Sequence, residues 1–213
     1  MKCDKKHMRL YAVTDRAWLH GRRLYDDVEK ALRGGVTMLQ LREKELGDDE
    51  FLSEALELKE LCGRYGVPFI INDNVELAVK CGADGIHVGQ SDMCASDVRR
   101  AVGSGMIVGV SAQTVEQALL AEKNGADYLG VGSVFTTSTK LDAEHVSYDT
   151  LKDICRAVSI PVCAIGGISG SNMDMLAGSG IDGVALVSAI FASDDIESEC
   201  SRLKRLSDTL FSK

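Results

Sequence analysis

Proline is nearly absent from this chain. Only Pro68 and Pro161 occur among 213 residues. With no low-complexity tract beside them they mark no linker, so one domain spanning 1–213 is expected. Positive charge is not in excess. Twenty-four Lys and Arg stand against 32 Asp and Glu, a formal charge of −8. That excludes the basic stripe of a nucleic-acid surface but leaves room for a local cationic cluster that holds an anion. The seven cysteines, at 3, 62, 81, 94, 155, 163 and 200, form no C-x-x-C pair. Odd in number and scattered, they fit reduced, mostly buried thiols and a cytoplasmic setting. No apolar run approaches the ~20 residues of a membrane helix. The polar opening from Met1 to Met8 has no apolar stretch behind it, so no signal peptide is expected.

What the chain has instead is repetition. Apolar runs recur at Leu10–Val13, Val36–Leu41, Phe69–Ile71, Gly85–Val88, Met106–Val110, Tyr128–Val131, Val162–Ile165 and Gly183–Val187. Continuous apolar runs are the mark of strands buried on both faces. Amphipathic patterns lie between them, most clearly over Leu24–Leu32, Asp48–Cys62, Cys94–Val102, Thr114–Lys123 and Tyr148–Val158, with a last helix over Ile196–Leu210. Ser111 or Thr114, Ser147 and Ser169 are candidate N-caps. Gly34-Gly35, Gly82-Ala83-Asp84, Gly125-Ala126-Asp127 and Gly180-Ile181-Asp182 each join a helix end to a strand start, a glycine stop repeated through the chain. Eight strands alternating with helices in this length give a (β/α)8 TIM barrel. An open doubly wound sheet is the alternative, disfavoured by the even units and by the lack of a G-x-G-x-x-G after the first strand.

In such barrels the chemistry sits where the strands end, and polar residues gather there. Gln40, Arg42 and Lys44 alternate, so an extended backbone aims all three one way, a fork and a point charge suited to a polyphosphate. As a bare charged turn with Glu43 and Glu45 the run would be solvated. Asp73 and Asp92 close two neighbouring strands. Singly each would pass for a helix cap, but together beside cations they are candidate Mg²⁺ ligands. Gly132 to Lys140 is a hydroxyl-rich loop on the functional rim, a lid or a plain flexible loop. Gly166-Gly167 and Val187-Ser188 follow strands seven and eight, the usual phosphate cup of this fold. His87, inside a strand, reads as a hydrogen-bonded core histidine, and His7, His20 and His145 join no constellation. Two anion sites, one metal-assisted, without a general base describe a transferase that releases pyrophosphate.

Seven strings then fall in order at these strand ends: Gln-Leu-Arg-Glu-Lys (40–44), Ile-Asn-Asp (71–73), His-Val-Gly-Gln-Ser-Asp (87–92), Gly-Val-Ser (109–111), Thr-x-Thr-Lys (137–140), Ala-Ile-Gly-Gly-Ile (164–168) and Val-Ser (187–188). In these the chain resembles the thiamine phosphate synthase family over nearly its whole length. The resemblance implies condensation of 4-amino-2-methyl-5-(diphosphooxymethyl)pyrimidine with a (carboxy)methylthiazole ethyl phosphate, giving thiamine phosphate and pyrophosphate. It implies that Gln40, Leu41, Arg42, Glu43, Lys44, Asn72, Ser111 and Lys140 hold the diphosphate substrate and that Asp73 and Asp92 hold Mg²⁺. Thr137, Ser138, Thr139, Gly167, Val187 and Ser188 would hold the thiazole phosphate. Arg42, Lys44, Ser111 and Lys140 are the implied catalytic set, in a dissociative route where the amino-substituted ring steadies a methylene cation. Thr136 stands where the family usually has proline, which leaves the lid contacts least defined. Two other readings are a thiazole tautomerase on the same barrel and a non-catalytic thiamine-phosphate-binding barrel. The partners implied are small molecules, without nucleic acid or membrane; homo-oligomerisation is left open.

Overall fold

The structure is a computed structural model, and its described residues are 3–90, 92–137 and 145–211. Eight parallel strands close into a barrel in sequence order: β1 Leu10–Val13, β2 Met38–Leu41, β3 Phe69–Asn72, β4 Gly85–Val88, β5 Ile107–Ala112, β6 Tyr128–Val131, β7 Val162–Ile165 and β8 Gly183–Leu186. The seam joins β1 to β8, with Leu10 opposite Val184. Helices α1 (Leu24–Arg33), α2 (Asp48–Tyr65), α3 (Val75–Lys80), α4 (Ala95–Val102), α5 (Val115–Lys123), α6 (Tyr148–Ala157), α7 (Ser188–Phe191) and α8 (Ile196–Phe211) complete it. This is the (β/α)8 barrel expected. Of the caps expected, the choice between Ser111 and Thr114 falls on Thr114, which caps α5, while Ser111 lies within β5; one cap is corrected. Ser169 caps no helix; a 3₁₀ turn at Met173–Leu176 follows instead, with Asn172 at its start.

Strand alternation sorts the apolar residues into two cores. Met8, Tyr11, Val13, Met38, Ile70, Ile107, Tyr128, Cys163 and Ala185 fill the barrel interior. Leu10, Ala12, Leu39, Leu41, Phe69, Ile71, Val108 and Leu129 face outward into the helix layer. A Leu or Ile withdrawn from water contributes about 1.5–3 kcal/mol, so both cores drive closure.

The echoed turns have a specific task at the strand starts. Thr37 Oγ1 accepts the N–H of Leu10, and the carboxylates of Asp84, Asp127 and Asp182 accept those of Phe69, Val108 and Val162, at 2.8 to 3.1 Å. Each residue returns its own N–H to the carbonyl of the residue it holds. A side chain at the start of each even strand therefore clasps the preceding odd strand with paired bonds. The glycines ahead of the clasps, Gly35, Gly82, Gly125 and Gly180, all have positive φ, a conformation costly for other residues. The two prolines are equivalent, half a barrel apart: each immediately precedes an odd strand, and their carbonyls accept the N–H groups of Leu39 and Leu129.

Removing a clasp strands a buried N–H, which costs about 1–3 kcal/mol. Asp127→Ala also takes the partner at 2.5 Å from Arg99. We expect it to lower the urea midpoint by the equivalent of about 2–3 kcal/mol at unchanged m, with little change in ligand binding at the far end of the barrel.

Candidate active site

A cavity of about 480 Å³ opens at the strand ends. One wall carries Gln40, Arg42, Lys44, Asn72, Asp73 and Asp92, the facing wall Gly166, Gly167, Val187 and Ser188, with Ser111, Gln113 and Thr137 between. The alternation of Gln40, Arg42 and Lys44 survives folding. Leu41 does not face the cavity: it points outward and is fully buried in the helix layer, so only its main chain can serve a ligand. Glu43 also turns away. Its Oε1 accepts the backbone N–H groups of Lys44, Glu45 and Leu46 at 2.7, 2.7 and 3.3 Å, and its Oε2 pairs with Arg16. Glu43 is thus the brace of the β2–α2 loop. Burial opposes its ionisation, yet the N–H groups and Arg16 outweigh that and hold its carboxyl below the usual range.

Arg42 is placed by β1. Thr14 Oγ1 accepts its N–H at 3.0 Å, and Asp15 meets its guanidinium at 2.9 Å. Asp15 received no role from the sequence; its signal was its position at the first strand end. Arg42 and Lys44 also border a second cavity of about 280 Å³ with Arg16 and Trp18.

Asp73 follows β3 at φ 61°, with the N–H of Asn74 donated to the carbonyl of Asn72 at 2.7 Å. This three-residue turn is strained for a residue with a side chain. Its own N–H is donated to the His87 carbonyl at 2.8 Å. Asn74, not Asp73, caps α3. Asp92 caps nothing either: its Oδ2 accepts the N–H of Gly89 at 2.7 Å. Burial first, then the neighbouring Asp92 carboxylate, raises Asp73 to about 6. Two carboxylates in mutual repulsion are a donor set that fits a cation. No group of three His, Cys, Asp or Glu converges among the described residues, so the pair suits Mg²⁺, which takes one or two carboxylates and completes its shell with water and phosphate oxygens.

In the cup, Gly167 has φ 63°, and a Cβ there would lie 2.3 Å from the Thr136 carbonyl. Asn172 pins the turn, donating to the Gly167 carbonyl at 2.9 Å and accepting from Ser169 at 2.8 Å. The far end of α7 is tied by Arg22, which donates to the Phe191 carbonyl at 3.1 Å and pairs with the fully buried Asp27 at 2.7 Å. The loop after β6 starts anchored: the N–H groups of Val134 and Phe135 are donated to Ile165 and Gly166. Thr137 lines the cavity, while Ser138, Thr139 and Lys140 lie outside the described residues. His87 is the core histidine expected, bonded to Tyr128 and Ser111. Tyr11, Gln90 and Gln113 also line the cavity; Gln113 was detectable as the residue two beyond Ser111.

Known proteins carry the same pattern. The model of the family described as thiamine monophosphate synthase matches residues 10–190. The chain is 50% identical over 198 residues to the thiamine-phosphate synthase of Clostridioides difficile, covering 93% of this chain and 94% of that protein. It is 47% identical over 194 residues to that of Clostridium tetani, covering 91% and 93%. Its fold matches the thiamine phosphate pyrophosphorylase from Pyrococcus furiosus with a TM-score of 0.90 at 34% identity, over 98% and 99% of the two chains. With this coverage and identity, the chain belongs to the thiamine monophosphate synthase family.

Proposed function

We propose that the chain condenses 4-amino-2-methyl-5-(diphosphooxymethyl)pyrimidine with (carboxy)methylthiazole ethyl phosphate, with Mg²⁺ held by Asp73 and Asp92. The observation that carries this reading is one cavity with two unlike anion walls: Arg42 and Lys44 beside the carboxylate pair, and a glycine-lined cup of Gly167, Val187 and Ser188 opposite. Bound Mg²⁺ would neutralise charge on the diphosphate. Arg42 and Lys44 stabilise the negative charge that grows on the leaving pyrophosphate as the methylene C–O bond breaks. Lys140, beyond the described residues, completes that set on the family pattern. The cup holds the thiazole phosphate so that its ring nitrogen meets the methylene carbon and forms the new C–N bond, a carboxylated thiazole losing its carboxylate as CO2 on the way to thiamine phosphate. No proton needs to be removed, and the buried His87, lowered to about 4 by burial, is too weak a base to remove one. The cationic and acidic machinery has no use in a tautomerase. Seven free cysteines support a reducing, cytoplasmic setting.

The first test is pyrophosphate release. It should require both substrates and Mg²⁺; release from the diphosphate at the same rate without the thiazole phosphate would sink the transferase reading. Asp73→Asn and Asp92→Asn should each lose most turnover while remaining folded, and full activity of both at limiting Mg²⁺ would remove the metal assignment.

Asp73 also has a pH signature. Its folded pKa lies above the ordinary 3.8, so without divalent cation the native state loses stability as pH rises from about 4 through 6. Thermal melts in EDTA should show Asp73→Asn gaining over the parent across that window and matching it at lower pH. Added Mg²⁺ should close the gap at pH 8.

Arg42→Ala removes a charge-assisted contact worth about 1.5–3 kcal/mol, so diphosphate affinity should fall roughly 10- to 150-fold with thiazole phosphate affinity nearly intact. Calorimetry with each ligand decides this. Glu43→Gln should act instead on the loop, lowering the melting temperature above pH 5, with the difference shrinking as acid protonates the parent's Glu43.

A further inference from the structure

Three consecutive residues at the end of β1 grip the string Gln40 to Lys44 at the end of β2. Thr14 donates its N–H to the Gln40 carbonyl at 3.0 Å, accepts the N–H of Arg42 at 3.0 Å and donates its hydroxyl to the Arg42 carbonyl at 3.3 Å. Asp15 Oδ2 accepts from Arg42 Nη1 at 2.9 Å, and Asp15 Oδ1 accepts the Ala17 N–H at 3.0 Å. Arg16 pairs with Glu43 and reaches Glu54 at 2.7 Å.

The Asp15 grip falls on a charge that faces ligand. Arg42 borders both cavities, whereas Asp15 lines only the smaller one. Asp15 therefore engages Nη1 from the side away from the larger cavity. The other edge of the guanidinium, Nε with Nη2, carries two parallel N–H donors and has no partner among the described residues. That edge is left for a phosphate, in the two-bond geometry that distinguishes arginine from lysine. Without Asp15, a long side chain between two cavities can turn its plane toward either.

Affinity alone does not account for the pair. A carboxylate 2.9 Å from the guanidinium subtracts from the positive charge that draws an anion. Its contribution then lies in geometry. Charge grows on the leaving oxygen only as the methylene C–O bond breaks, and donors fixed in advance meet that charge without reorganising. We propose that Asp15 is a positioning residue. It holds the Arg42 guanidinium with the Nε–Nη2 edge toward the departing pyrophosphate, which speeds the chemical step while weakening the hold on the intact diphosphate. For the substrate this rests on the function proposed above.

Asp15→Asn separates the two contacts of the carboxylate. Asparagine caps a helix start as well as aspartate does, but it places an NH₂ group where Oδ2 met Arg42. Single-turnover rates with Mg²⁺ and both substrates saturating, and diphosphate Kd by calorimetry, are compared in the parent, Asp15→Asn, Arg42→Lys and the double variant. Asp15→Asn should slow the chemical step about ten- to a hundredfold, with diphosphate Kd unchanged or smaller. In the Arg42→Lys background, where a point charge has no edge to orient, the same substitution should change the rate less than about twofold. Asp15→Ser, another good cap but too short to reach Arg42, takes its place should Asp15→Asn not fold. Three results would each overturn the inference alone: an unchanged rate in the single variant, an equal loss in both backgrounds, as a purely structural cap would give, or a diphosphate Kd that rises as far as the rate falls. A parent that releases no pyrophosphate from the two substrates would overturn the reading beneath it.

Discussion

The barrel depends on the bonds that tie its strands together at their starts. Thr37, Asp84, Asp127 and Asp182 each take the first or second N–H of the odd strand before them and return their own N–H to the same residue. Parallel strands cannot be joined by hairpins, so their register has to be held by something other than a tight turn. Here it is held four times by one device, and three of the four clasps are carboxylates, whose bonds are stronger than neutral ones. Lys59, Arg99 and Lys5 then neutralise those carboxylates. The clasp carboxylates at this end are paired, and the buried Nη1 of Arg9 is the donor left without a partner among the described residues.

The opposite end does the reverse. Asp73 sits at positive φ, and burial and then a second carboxylate push its pKa up, an arrangement that costs stability and that a cation, on the function proposed, would relieve. Strain and unpaired like charge belong where a ligand will relieve them. The clasped end supplies the rigidity that lets the rim carry this cost. The anchors around the rim work to the same end: Glu43 gathers three backbone N–H groups of one loop, Asn172 pins another, and Arg22 ties α7 to α1.

This division explains what could be read from the sequence. Strands were legible because burial on both faces leaves continuous apolar runs, and the rim because strand ends are where polarity returns. Asp73 and Asp92 could be paired from topology alone. What escaped were roles set by direction. Leu41 and Glu43 lie in the same string as Gln40, Arg42 and Lys44, but alternation turns Leu41 outward and three backbone donors turn Glu43 aside. Ser111 had the composition of a helix cap yet sits on a strand, where its hydroxyl meets His87. The Asp clasps were visible only as an echo, because a carboxylate's partner 15 to 20 residues away leaves no local pattern.

The floor of the cavity bears on the chemistry as much as its walls do. A methylene cation formed when pyrophosphate leaves would alkylate any good nucleophile within reach. Cys163 lines the same cavity and as a thiolate would be such a nucleophile. Burial drives its thiol well above the ordinary range, and its S–H is spent on the Leu129 carbonyl at 3.5 Å. The phenols of Tyr11 and Tyr128 are held protonated by the same burial, and His87 Nδ1 is engaged by Tyr128. The carboxylates of Asp73 and Asp92 stand on the wall with Arg42 and Lys44, where on the function proposed a metal would occupy them. On the function proposed, a floor built of neutral, already bonded groups would stabilise no intermediate by charge and would leave the amino-substituted ring to do that.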